Sequence, residues 1–219
     1  MSRRLLANKA HAYDPVWHVQ LAVLVALLLQ LVLPDRFTVG PKYALAILEA
    51  ILLLLLAVTT PKLPVFRSAT RRINALILIF LISAANIYSL WRVAEVLLGG
   101  SVTDGRGLIL AAINIYITNI IIFGMWYWEL DGGGPGQRRR VAHTERDFLF
   151  PQMNMPQPDA NWHPTFLDYL YVSATNATAF SPTDTMPLSR RAKMLMLAQS
   201  VVSLITIALV AARAVNILS

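Results

Sequence analysis

Five apolar runs, each close to the length that crosses a bilayer, constrain this chain more than any other feature. They fall at about Trp17 to Leu33, Tyr43 to Thr59, Ile73 to Leu98, Leu108 to Trp128 and Met194 to Leu218, and a membrane-spanning helix needs ~20 mostly apolar residues. With 56% hydrophobic and 14% charged residues, too little polar sequence remains for a large water-soluble domain. The expected fold is an all-α integral membrane protein with five transmembrane helices. Residues 1–129 form a four-helix transmembrane region, 130–164 a Gly/Pro-rich polar loop, and 165–219 a carboxyl-terminal unit. The first run, flanked by Arg3, Arg4 and Lys9, is followed by "LPDRFTVG" rather than a small-residue cleavage site, so it reads as a retained anchor.

The net charge of +7 is distributed in short loops beside the spans and fits membrane topology better than nucleic-acid binding. With five spans and a cytoplasmic amino terminus, fourteen Lys and Arg residues fall inside, three fall outside, and Arg92 and Arg213 lie within spans. A multi-pass protein of the bacterial plasma membrane is expected. The chain has no cysteine, which excludes disulfides, thiolate catalysis and cysteine-ligated metals.

In the polar loop, Pro135, Pro151, Pro156, Pro158 and Pro164 forbid a long helix and predict an irregular surface segment. Trp126, Tyr127, Trp128 and Trp162 bracket it, as interfacial aromatics do. Its "GGGPG" lacks the lysine and hydroxyl residue of a phosphate loop. Asp131, His143, Glu145, Asp147 and His163 match no ligand spacing, so they read as solvated. No enzymatic role, metal or cofactor is expected.

The stretch before the last run, "YVSATNATAFSPTDTMPLSRRAKML", is too polar for a membrane core. Thr165 and Asp168 have capping-box spacing and predict a short helix from about Phe166 to Thr175, able to enter the bilayer only part-way. "NATAFSPTDT" then reads as an extended return, with Pro187 and Ser189 introducing the last helix. This pattern describes a re-entrant pore-helix loop. Non-helical backbone at membrane depth must be buried in protein or line a watery cavity, which favours several copies around an axis, here a homotetramer.

Phe166 to Asn216 resembles the pore-helix, filter and inner-helix unit of tetrameric potassium channels, with "MPLSRRAK" matching the tail that follows their filter. The same tail is similar to that of a group of small bacterial multi-span membrane proteins with no established activity. The resemblance implies that "TTVGYGD" lies over Thr175 to Ser181. Thr175, Asn176, Ala177, Thr178 and Ala179 would then line an ion pathway, with Asp184 at its mouth. The filter glycines are missing, so strict potassium selectivity is not expected.

Other polar residues sit within the spans. Gln199, Ser200, Ser203 and Thr206 form a stripe on the last helix that either lines an inner vestibule or packs helix on helix. Glu49, Arg92, Glu95 and Arg213 share one leaflet and read as a structural charge network, while His18 reads as interfacial. Asn86, Asn114 and Asn119 are expected to bridge helices. The functional expectation is a tetrameric pore-loop channel for monovalent cations; the alternative is a non-conducting membrane scaffold or accessory subunit. Charge places the pore loop's entry on the cytoplasmic side, opposite to potassium channels, as in glutamate-receptor channels.

Overall fold

A computed structural model describes residues 17–40, 42–59, 69–99, 105–138, 146–155, 162–178 and 184–218. The chain is mostly helical. Helices α1 (Trp17–Val32), α2 (Lys42–Thr59), α3 (Ala69–Leu98) and α4 (Gly105–Leu130) precede the short α5 (Phe166–Thr178) and the long α6 (Arg190–Leu218). Three segments, Thr70–Leu98, Gly105–Gly133 and Arg190–Arg213, are long and apolar enough to cross a membrane. Large apolar side chains such as Leu54, Phe80 and Leu204 are exposed on the outside of the bundle, as lipid-facing positions are in a membrane protein.

Helix α4 is the hub, packing against α1, α3, α5 and α6. Its sequence is apolar nearly all round, the pattern of a helix enclosed by others. The asparagines tie that hub together. Asn86 of α3 donates to the Ile115 carbonyl at 3.4 Å, Asn114 of α4 to the Leu29 carbonyl at 2.7 Å, and Asn119 of α4 to the Ser203 hydroxyl at 2.9 Å. Each amide thus joins α4 to a different neighbour, in an interior where water cannot supply a partner.

Two apolar clusters fill the bundle. One, around Leu78, Ile122, Met125, Trp128 and Phe166, lies toward the end of α4 that leads into the polar loop; we call this end the loop face. The other, around Phe37, Val93, Leu108 and Ile115, lies at the opposite end. Tyr127 and Trp128 are 0% and 2% exposed, so they are core residues rather than the interfacial belt expected from their position.

The polar loop folds back on the bundle. Phe148–Leu149 (β1) pairs antiparallel with Met186–Pro187 (β2), with Phe148 opposite Pro187. This ladder holds the chain entering α6 against the chain leaving the loop. Ser189 caps α6 by accepting from the Ala192 amide at 3.1 Å.

Candidate functional site

Helix α5 is the candidate site. Its start is fixed as the sequence suggests: the Thr165 amide and hydroxyl both donate to the Asp168 carboxylate, at 2.6 and 2.8 Å. It runs beside α4 and then α6. Gly124 permits the close approach, since a Cβ there would stand 3.2 Å from the Leu170 Cα. At ~1.5 Å per residue, its 13 residues span about 20 Å. Ser173 donates to the Ile120 carbonyl at 2.6 Å, and Ile120 lies about 15 Å along α4 from its loop-face end. Ser173, five residues before the end of α5, therefore lies well inside the bundle, and the chain is back at the loop face by Met186.

This geometry corrects the expected filter. Thr175, Asn176, Ala177 and Thr178 are the last residues of α5 rather than extended loop, and Ala179 lies outside the described residues. The helix continues because each of these side chains has a helical use. The Thr175 hydroxyl donates to the Tyr171 and Val172 carbonyls, and the Thr178 hydroxyl to those of Ala174 and Thr175. Ala177 is buried. Asp184 is exposed, beside β2.

Asn176 belongs to a buried polar network that the single chain completes by itself. Its amide nitrogen donates to the Met196 carbonyl at 3.0 Å and to Gln199 Oε1 at 2.9 Å, while its carbonyl accepts from Ser200 at 3.3 Å. Gln199 Oε1 also accepts from the Tyr127 hydroxyl at 2.6 Å, and Gln199 Nε2 donates to the carbonyl and hydroxyl of Ser173 at 2.9 and 2.7 Å. Gln199, Ser203 and Thr206 are nearly inaccessible, and Thr206 bonds back to the Val202 carbonyl at 2.7 Å. Within the chain, the α6 stripe is thus helix-packing surface facing α4 and α5, not the lining of an open vestibule. A polar side chain at this depth is stable only with a partner, and α4 and α5 provide the partners.

A second network locks the loop face, and sequence reasoning missed it. Asp131, 0% exposed, accepts from the amides of Asp147 and Phe148 at 2.7 and 3.2 Å and from the Tyr169 hydroxyl, and its carboxylate pairs with Arg138 at 3.5 Å. Arg138 also donates to the Trp128 and Pro164 carbonyls and stacks over Tyr169 at 4.6 Å. Asp147 accepts from Arg191 at 3.3 Å, and its carbonyl accepts from the Leu188 amide. Arg146 donates to the Arg138 carbonyl at 3.2 Å and meets His163 Nδ1 at 3.4 Å. Burial lowers the Arg146 pKa from its usual value, opposed by the nearby Asp131 charge.

The glycines make this possible. Gly132 and Gly134 adopt φ of 56° and 93°, and a Cβ on Gly134 would lie 2.8 Å from the Glu129 carbonyl oxygen. They wrap the backbone around Asp131 rather than around a phosphate. Asp131 and Asp147 are therefore buried structural groups, not the solvated residues expected. His143 and Glu145 lie outside the described residues, among which no cluster of three metal-ligating side chains occurs.

The charges within spans divide. Arg92 pairs with Glu95 and donates to the Arg36 carbonyl at 3.2 Å. Neither Glu49 nor Arg213 joins that pair, so the expected four-residue network is reduced to two, because Glu49 sits on α2 with its carboxylate turned into the protein. No family model, curated protein or solved structure matches the chain.

Proposed function

We propose that the protein is the pore-forming subunit of a cation channel, in which α5 is a re-entrant half-helix. The observation that carries this reading is that α5 stops part-way along its neighbours, with Ser173 bonded to the Ile120 carbonyl of α4 and Asn176 to the Met196 carbonyl of α6; with α4 crossing a bilayer, this reading puts the α5 carboxyl end near mid-membrane. A helix leaves its last four carbonyls without helical partners, with a partly negative end. At that depth such carbonyls need protein, water or a cation. Because the helix extends to Thr178, the pathway in this reading starts there and continues to Asp184, three residues later than the ungapped potassium-channel alignment puts it. Selectivity among monovalent cations would be weak without filter glycines.

In this proposal α1 and α2 also cross, giving five spans. The amino terminus and the loop face are cytoplasmic, following the basic residues, in a bacterial plasma membrane. Four copies surround the axis, each presenting one α5 end.

One observation favours a second reading, a non-conducting scaffold or accessory subunit. The polar network around Gln199 is complete inside one chain, so burying the sides of α5 requires no symmetry mate. Cation flux into vesicles holding the purified protein distinguishes the two. The channel reading requires flux that changes on Thr178→Val or Asp184→Asn and that accompanies a tetramer in mild detergent. A silent vesicle, or a stable monomer, overturns it in favour of the scaffold.

A further inference from the structure

Helix α2 packs against α1 and α3 at the side of the bundle, and its sequence, "KYALAILEAILLLLLAVT", carries one acid in an apolar run. Among the α2 side chains described, 43–55, the one that is fully buried is Glu49, at 0% exposure. Tyr43, Ile47, Ile51 and Leu54 face outward instead. A helix on the side of a bundle ordinarily buries an apolar stripe. This one turns its acid inward, seven residues or ~10 Å along the helix from Lys42.

Neither carboxyl oxygen of Glu49 accepts a hydrogen bond. The two helices packed against α2 carry His18 on α1 and Arg71, Arg72, Tyr88, Arg92 and Glu95 on α3. Arg71 pairs with Glu129 and Arg92 with Glu95, and none of the six acts on Glu49, for which burial is the one electrostatic influence. Glu129, which also accepts no hydrogen bond, differs in having the charges of Arg71, Arg72 and Arg138 around it. An ionised carboxylate buried without donor or counter-charge is among the costliest groups a fold can hold, and such a group takes up a proton instead.

We propose that Glu49 is a proton-binding site that controls the docking of α2: the neutral acid seats α2 against α1 and α3, and loss of its proton to water releases the helix. The ionised group needs hydration, which its present position denies it, so α2 must move off its neighbours for the carboxylate to form. Apart from Glu49 the helix is apolar on all sides, and no other buried side chain among those described anchors it. This holds for a channel or a scaffold alike, because it does not involve α5.

The test follows backbone hydrogen exchange of the full-length protein in mild detergent from about pH 5 to about pH 9, a range above the ordinary glutamate value, with the intrinsic base-catalysed rate divided out. Protection of α2 relative to α4 should fall with rising pH by at least about tenfold across the range, and by no more than about tenfold per pH unit, the limit for one proton. E49Q, a neutral isostere of the acid, and E49L should both keep α2 protected with a flat profile. Infrared difference spectra of wild type against either variant should show the carbonyl stretch of a neutral carboxylic acid at the low end of the range, replaced by carboxylate bands as protection is lost. The wild-type exchange profile stands even where a variant does not fold. A pH-independent α2 in wild type, a pH profile that survives in a folded variant, or carboxylate bands from Glu49 at the low end of the range would overturn the proposal.

Discussion

Replacing Asp131 by alanine is the sharpest test of how α5 is held. The side chain is fully buried, accepts from two backbone amides and the Tyr169 hydroxyl, and forms an ion pair with Arg138. Its loss strands those donors and leaves Arg138, 3% exposed, without its counter-charge. Breaking a buried pair by removing one partner costs about 3–5 kcal/mol. Arg138 keeps the Trp128 and Pro164 carbonyls, which places the expected loss near the lower end, about 3 kcal/mol, or roughly a 150-fold change in the opening equilibrium. Asp131→Asn, which keeps one acceptor oxygen, should lose about half as much. Because the chain has no cysteine, Ala177→Cys places a single reporter at a 3%-exposed position on α5. Its maleimide labelling in mild detergent should accelerate by about the same factor when Asp131 is removed, since labelling requires local opening. Labelling and melting that both stay within twofold of the parent would refute the inference that the loop-face network holds α5.

Gln199→Leu removes bonds to Tyr127, Asn176 and Ser173 and should destabilise by about 2 kcal/mol at the modest worth of such bonds in membranes. Tyr127→Phe should cost about 1 kcal/mol, and a double-mutant cycle of the two in thermal melts should be clearly non-additive. Gly124→Val pushes a branched side chain into Leu170, whose Cα would be 3.2 Å from the new Cβ; about 2 kcal/mol of destabilisation and faster labelling of α5 should follow, and a neutral result would contradict the close α4–α5 packing. Arg191→Ala, by contrast, breaks an ion pair whose arginine is 71% exposed and should change stability by less than about 1 kcal/mol, less still in high salt.

The membrane class, the capped start of α5, the reversal before α6 and the bridging asparagines were legible because each rests on local signals: apolar length, a Thr-x-x-Asp spacing, and amides in apolar runs. The end of α5 was not. Thr175 to Thr178 look like loop residues by composition, yet their side chains bond helical carbonyls or dock on α6, which only the packed structure supplies. The loop-face network was hidden for a different reason. Asp131, Arg138 and Asp147 are close in sequence, but their burial depends on Tyr169 and on β2, far along the chain. A signal was present in retrospect. Three consecutive glycines after an aspartate permit the backbone to curl around a carboxylate, and the polar positions Ser173 and Asn176 on α5 are three apart while Gln199 and Ser203 on α6 are four apart, so each helix presents a polar face.

The burial of that shared face bears on what a pore here can be made of. A polar stripe used between helices of one chain is not free to line an axis, so the surface left to α6 is the apolar one, with Leu197, Val201 and Leu204 exposed. In a scaffold this surface meets lipid or an apolar partner helix and nothing further is required of it. In a channel that packs α6 nearest the axis, the same residues would make the inner part of the pathway hydrophobic, and a hydrophobic constriction gates by dewetting rather than by charge. The polar segment from Thr178 to Asp184 and the apolar face of α6 would then have separate duties, ion coordination in one and closure in the other. The arrangement of α5 against α4 is compatible with both fates because its stability comes from inside the chain, through Gly124, Ser173 and Gln199, and not from whatever covers α6.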